Sequence, residues 1–469
     1  MPTFSPFARP LYVMAKPSGS LCNLHCDYCY YLEKRLLYAH SPSPLLMDDN
    51  TLETFIRQYI EAQTQPQVLF TWHGGEPLMR PLSFYRRVVE LQRKHARGHY
   101  IDNCLQTNGT LLNDDWCAFF REHNWLIGIS IDGPQEMHDG YRRSGRRLLA
   151  MQSLEASPTT VPGPQSLEAS PTTLPGPQSL EASPTTGGGR RGGATFDQVL
   201  RGIRLLQKHG VEWNAMGVVN DCTAAHPLDV YHCYKDIGCQ YIQFAPVVER
   251  LQHHEDGRHL ASPSFLTTGP QHAQAATAPN DQTAILAPYS VSPGQYGRFC
   301  CAIFDEWVRH DVGRVFVQLF DSTLACWAGV EPGVCTMCAT CGHAAVIEAN
   351  GDLYSCDHFV FPEYRLGNIH HASITSMMYS PRQLRFGRSK RDALPRQCRE
   401  CRWLFACHGG CPKDRFCRAA DGEPGLNYFC EDFRLFFAHV APYMDFMKNE
   451  LDHQRPPANI MQSALLPRG

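Results

Sequence analysis

Three cysteines, Cys22, Cys26 and Cys29, stand in the spacing CxxxCxxC within Cys22-Asn-Leu-His-Cys26-Asp-Tyr-Cys29, just after a short apolar run. Three thiolates at this spacing can hold three corners of a [4Fe–4S] cube. No fourth cysteine is close in sequence, so one iron is left free to bind a ligand. A closed zinc or cluster site wants four protein ligands, and a zinc site completed by His25 or a distant residue is the alternative.

A second group of thiols lies near the other end of the chain. It comprises Cys335, Cys341 and Cys356, then Cys398, Cys401, Cys407 and Cys411, then Cys430. Eight cysteines suffice for two fully ligated cubes. A zinc ribbon could use Cys398 and Cys401 but would not account for the rest. Asp357 directly follows Cys356, in Tyr354-Ser355-Cys356-Asp357-His358. A carboxylate there could act as a general base, or it could accept a hydrogen bond that tunes the neighbouring site.

The placement of the cysteines supports metal chemistry. Of 21 in 469 residues, three fall between Cys22 and Cys29 and eleven between Cys326 and Cys430. The N-terminal residues Met1 to Pro17 lack a basic segment, an apolar core and a small-residue cleavage site, so the expected compartment is the cytoplasm. Disulfides are disfavoured there, and clustered thiols read as metal ligands. A net charge of −3 gives no sign of a nucleic-acid partner, and no apolar run approaches membrane-spanning length.

Three glycine-containing motifs complete the chemistry-bearing set. Gly74-Gly75-Glu76-Pro77 could let a ligand approach the backbone closely, with Glu76 accepting from an ammonium group. Gln106-Thr107-Asn108-Gly109 and Ser130-Ile131-Asp132-Gly133-Pro134 could be plain turns. Arg142 offers a guanidinium fork suited to a carboxylate, unless it is a solvated surface charge.

Alternating elements must position these motifs. Strands are expected at Leu11–Ala15, Val68–Trp72, Ile101–Thr107, Leu126–Ile131, Val211–Val219 and Tyr241–Ala245. Helices are expected at Thr51–Ala62, Leu82–His95, Asp114–His123, Phe196–His209 and Pro227–Asp236. This alternation predicts an α/β fold with a parallel sheet and with active-site residues at the carboxyl ends of the strands, where the motifs fall. Periodicity alone does not separate a partial barrel from a doubly wound sheet. SLEASPTTVPGPQ begins at Ser153, recurs with one change at Ser166, and starts again at Ser179 before a glycine-rich run. Its composition predicts a disordered insertion over about 144–194. The stretch from Arg250 to Pro293 reads as a long loop.

Taken together, the motifs resemble the radical S-adenosylmethionine (SAM) superfamily. The cysteine array with its Asp is similar to the SPASM domain of the anaerobic sulfatase-maturating enzymes. The resemblance covers about Leu11 to Leu435, with the tandem repeat as its main departure. It implies a partial (β/α)6 barrel over 1–249, a connecting region over 250–325, a SPASM domain over 326–450 and a flexible tail over 451–469. It implies SAM on the open iron, contacted by Tyr28, Gly75, Ser130 and Arg142, with Val248 near the adenine. It assigns Cys335, Cys341, Cys356 and Cys411 to one auxiliary [4Fe–4S] cluster and Cys398, Cys401, Cys407 and Cys430 to the other, making three clusters in all. It casts Asp357 as the catalytic base in oxidising a Cys or Ser of a sulfatase polypeptide to Cα-formylglycine. An electron donor such as flavodoxin or ferredoxin is implied. A SPASM maturase acting on another ribosomally made peptide is the competing reading.

Overall fold

A computed structural model describes residues 11–32, 34, 46–144, 193–254, 257–260 and 284–463. The tandem repeat lies outside the described residues. Six strands form the central parallel run of the main sheet: β1 (Tyr12–Ala15), β2 (Gln67–Trp72), β3 (Tyr100–Thr107), β4 (Leu126–Ser130), β5 (Trp213–Val219) and β6 (Tyr241–Pro246). The helices that follow them are α1 (Asp49–Glu61), α2 (Leu82–His95), α3 (Asp114–Glu122), the short α4 (Gln135–Tyr141), α5 (Phe196–His209) and α6 (Pro227–Asp236).

The strands lie in the order β6-β5-β4-β3-β2-β1 without reversal. A doubly wound sheet needs a reversal point. Right-handed crossovers along an unreversed order put every helix on one face, and that is the winding of a partial barrel. Side-chain chemistry fixes the helix starts. Asp48 caps α1 by accepting from Thr51 N at 2.7 Å, and Asn113 caps α3 through Trp116 N at 3.0 Å. Trp72, Phe70 and Trp125 on the sheet side pack against Phe55, Tyr85 and Phe119 from the helices, all of them fully buried.

The sheet does not stop at β1. Beyond the small antiparallel sheet β7 (Arg250–His254), β8 (Gly257–Leu260) and β9 (Ala284–Leu286), the chain forms α7 (Gln295–His310), β10 (Phe316–Val317) and α8 (Gln318–Trp327). The long loop expected from Arg250 to Pro293 therefore contains three strands. Next comes β11 (Ala344–Ile347), which pairs parallel with β1, Tyr12 opposite Ala344 and Ala15 opposite Ile347. β12 (Asp352–Tyr354) and β13 (Arg365–Asn368) extend that edge antiparallel, while β10 joins β6 at the other edge. The cysteine-rich region is thus continuous with the barrel sheet. This juxtaposition brings Cys356 and Asp357, just after β12, beside the end of β1.

The region also contains α9 (Pro381–Asp392), the hairpin β14 (Cys417–Arg418) with β15 (Pro424–Leu426), and α10 (Cys430–Asp452), besides shorter helical turns. Asp432 in the first turn of α10 accepts from Gly294 N at 3.1 Å and Gly297 N at 2.8 Å. A carboxylate there satisfies donors at the start of α7 and complements its dipole. No helix among the described residues is long and apolar enough to cross a membrane.

Candidate functional site

Cys22, Cys26 and Cys29 occupy the loop after β1, which the GGEP turn clamps from beneath. Gly75 N donates to Gly19 O at 2.8 Å and Glu76 N to Leu21 O at 2.7 Å. A Cβ on Gly75 would lie 2.2 Å from Leu21 O, so only glycine fits this approach. The Glu76 carboxylate is fully buried and accepts from Leu78 N at 3.0 Å, Thr107 Oγ1 at 2.7 Å and Asn108 N at 2.8 Å. Burial pushes it up to about 7, against the pull of those donors. Three of the acceptor positions of Glu76 are thus used to bolt the GGEP turn to the end of β3. The Gly75 N–H is likewise taken within the chain.

The three thiols are electrostatic neighbours. Burial raises all of them, Cys26 to about 12. None ionises by itself at neutral pH, so a metal centre must displace their protons on binding. Among the described residues, no three His, Cys, Asp or Glu side chains gather closely enough to hold a single metal ion.

The rim at the strand ends is polar and buried. Asp132, after β4, takes the Arg142 Nε at 3.0 Å, the Tyr28 hydroxyl, and Val218 N at 3.0 Å. Arg142 is buried, so it is no surface charge. Its guanidinium also lies 5.5 Å from the Tyr28 ring centre. Ser130 Oγ accepts from Gln106 Nε2 at 3.0 Å. Val248 is buried, with its carbonyl accepting from Lys413 Nζ at 3.2 Å.

His138, a residue of the SIDGP-x3-H-x3-R segment with no role assigned from sequence, braces this rim. Its Nδ1 lies 3.4 Å from Asp132 N, and its Nε2 lies 3.1 Å from Thr195 Oγ1, which in turn donates to Arg142 O at 2.9 Å. Accepting at Nδ1 while donating at Nε2 requires the neutral ring. Ser144 and Gly193, the described residues flanking the repeat, pair directly: Gly193 N donates to Ser144 Oγ at 2.8 Å. Arg142 is therefore held from both sides of the insertion.

Burial pushes His138 down to about 4. A histidine lowered from its unfolded value of about 6.5 gives stability that is complete above pH 6.5 and is lost as pH falls toward 4. The loss reaches about 3 kcal/mol at pH 4. Denaturant titrations at pH 7 and pH 4.5 should show this decline, and it should shrink in His138→Gln. An equal decline in both proteins would remove His138 as its source.

The C-terminal thiols fall into two groups. Cys356 and Cys411 each have Cys335 and Cys341 as electrostatic neighbours, and they neighbour one another. Cys398, Cys401, Cys407 and Cys430 line one cavity of about 290 Å³ with Trp403, Phe433 and Phe437. A pocket walled by four thiols and aromatic rings has the donor set of a fully ligated cube.

Asp357 sits between the first of these groups and the N-terminal loop. Lys16 Nζ, just past β1 and wholly buried, pairs with its Oδ1 at 2.7 Å, and the Tyr30 hydroxyl donates to Oδ2. Burial pushes the carboxyl up, but the Lys16 ammonium together with His73 and His358 outweighs it and holds the group well below the ordinary carboxylate range. Lys16 Nζ also lies 3.2 Å from His73 Nδ1, and His73 is pushed down to about 4 by burial and by that ammonium. Tyr31 donates to Glu348 at 2.5 Å, and burial raises Glu348 to about 7. Sequence reasoning missed Lys16, His73, Tyr30 and Glu348. The available signal for Lys16 and His73 was position, since each directly follows a strand at its carboxyl end.

Comparisons with known proteins agree with this geometry. The radical SAM superfamily model matches residues 17–156, and the SPASM iron-sulfur cluster-binding domain matches residues 335–402. The chain is 56% identical to a serine-type anaerobic sulfatase-maturating enzyme of Bacteroides thetaiotaomicron, over 98% of this chain and 97% of that protein. It is 28% identical to a cysteine-type enzyme of Clostridium perfringens, over 94% of this chain and 99% of that one. The solved structure of native anSMEcpe with bound AdoMet and Cp18Cys peptide superposes with a TM-score of 0.71 at 27% identity, covering 94% of this chain and 100% of that chain. The chain belongs to the anaerobic sulfatase-maturating enzymes of the radical SAM superfamily.

Proposed function

We propose that this chain is a serine-type maturase that oxidises one serine of a sulfatase polypeptide to Cα-formylglycine, using SAM and three [4Fe–4S] clusters. Cys22, Cys26 and Cys29 would hold the cluster that binds SAM. Cys335, Cys341, Cys356 and Cys411 would hold the first auxiliary cluster, and Cys398, Cys401, Cys407 and Cys430 the second. When bound, these groups supply a hydrogen-atom acceptor and a sink for the second electron. The observation that carries the reading is the Lys16–Asp357 ion pair, which fixes a carboxylate between the N-terminal thiols and the first auxiliary set.

The residues of the chain do the rest. Asp357 is ionised and can receive a proton, and the Tyr30 hydroxyl fixes the direction of its second oxygen. A carboxylate held this low is a weak base, so it does not deprotonate an unreacted serine. Loss of the β-hydrogen makes the serine hydroxyl more acidic, and its proton passes to Asp357 as the surplus electron leaves the carbon, because a neutral carbonyl is then formed. The base is thereby silent until the carbon has reacted. Tyr28, Ser130 and Arg142 would line the SAM site, with Val248 toward the adenine and Gly75 supporting the loop. The burial of Tyr28, Arg142 and Val248 limits access of water to the site. A reducing compartment suits so many free thiols, and a flavodoxin or ferredoxin would supply electrons.

The serine reading rests on the 56% identity to a serine-type enzyme. Anaerobic incubation with SAM, a reductant and matched sulfatase peptides should convert the serine peptide to an aldehyde two hydrogens lighter. Oxidation of the cysteine peptide alone would overturn the serine assignment, and oxidation of neither would favour a maturase of another peptide.

A further inference from the structure

The two auxiliary thiol sets share a wall. Cys407 belongs to one set and Cys411 to the other, and the three residues between them, His408, Gly409 and Gly410, all take positive φ (44°, 73° and 62°). The Arg415 guanidinium fills the turn they make. Its Nε donates to Gly409 O at 2.9 Å, its Nη2 to His408 O at 2.7 Å and its Nη1 to Lys390 O at 2.5 Å. A Cβ on Gly409 would come within 2.6 Å of Nη2, so the turn is shaped around the cation.

Lys390, on α9, has no exposed surface. Its Nζ donates to Cys335 O at 2.7 Å and Thr336 O at 2.9 Å. Among the described residues, every hydrogen bond of these two cations goes to a backbone carbonyl, and neither pairs with a carboxylate. Carbonyls orient a cation but do not neutralise it, and an uncompensated buried charge is costly. What lies within electrostatic reach of Arg415 is Cys341 and Cys411 from one set and Cys398 and Cys407 from the other. Lys390 acts on Cys341. A [4Fe–4S]²⁺ cube held by four thiolates carries a net charge of about −2, so two such groups side by side need cations between them.

We propose that Arg415 is the shared counter-cation of both auxiliary clusters and Lys390 that of the Cys335/Cys341/Cys356/Cys411 cluster alone, and that they raise the reduction potentials of the clusters they face. The proposal rests on the cluster assignment above. A positive charge near a cluster favours the reduced, more negative state, which suits groups that must accept an electron from substrate. Because Arg415 faces both, its charge bears on the two potentials together.

The test is an EPR-monitored redox titration of the full, anaerobically reconstituted chain. Arg415→Gln should make both auxiliary clusters harder to reduce, by at least about tenfold in the reduced-to-oxidised ratio at fixed potential, which is about 59 mV for a one-electron couple. Lys390→Gln should shift one auxiliary cluster, and the N-terminal cluster should stay where it is in both variants. Unmoved auxiliary potentials in Arg415→Gln, or an equal shift of all three clusters, would overturn the proposal. If Arg415→Gln loses auxiliary iron, Arg415→Lys decides. It keeps the charge but breaks the carbonyl staple, so near-native potentials support the counter-cation role and a shift as large as expected for Gln refutes it. Failure of the underlying cluster assignment would look different, because the unmutated chain would then lack auxiliary iron.

Discussion

Asp357→Asn should lower serine-peptide oxidation at least about a hundredfold while leaving the iron content unchanged. The substitution preserves shape and an oxygen for the Tyr30 hydroxyl, but it removes the charge that faces Lys16. What is lost is the proton acceptor, so the deficit should fall on kcat and leave KM nearly as it was. SAM cleavage without substrate should persist, because Asp357 is not among the residues of the Cys22/Cys26/Cys29 loop. Peptide oxidation measured by mass spectrometry, beside 5′-deoxyadenosine release, separates the two effects. A fully active Asn variant would remove Asp357 from the chemistry and leave it as a support for Lys16.

Gly75→Ala should abolish turnover by a different route. The added methyl group meets the Leu21 carbonyl oxygen at 2.2 Å, and that oxygen is backbone, so no side chain can swing aside. Relief requires the cysteine loop to lift off the GGEP turn. That breaks the Gly75–Gly19 and Glu76–Leu21 hydrogen bonds that hold it. The N-terminal cluster should then be lost while the auxiliary pair, more than two hundred residues away in sequence, is retained. Iron should fall from about twelve to about eight per chain, and 5′-deoxyadenosine formation should drop at least about a hundredfold. A variant with full iron content and normal SAM cleavage would show that the clamp is dispensable.

Much of the barrel half was legible because its signals are local. The helices at Leu82–His95, Phe196–His209 and Pro227–Asp236 carry clear amphipathic periods and appear where the pattern places them. The six strands appear within a residue or two. The barrel winding was not legible from periodicity, because it depends on strand order. The continuation of the sheet through β11, β12 and β13 was hidden for a related reason. Those strands are four, three and four residues long, and β11 is defined by its pairing with β1, more than three hundred residues away in sequence. Lys16 was missed because it becomes meaningful only once that pairing sets Asp357 beside it. The structural role of Glu76 was hidden in the same way. Its actual partners, Thr107 and Asn108, come from the next strand's end and cannot be read from a four-residue motif. The grouping of the eight C-terminal thiols came from family resemblance, because spacing alone permits many partitions.

The proposed chemistry depends above all on three thiol cradles, one of them open. Iron anomalous scattering from anaerobically grown crystals would test it most directly. It should reveal three four-iron centres: one on Cys22, Cys26 and Cys29 with a single iron lacking a protein ligand, one on Cys335, Cys341, Cys356 and Cys411, and one on Cys398, Cys401, Cys407 and Cys430. Single metal ions at these positions, or a protein ligand on the fourth N-terminal iron, would contradict it.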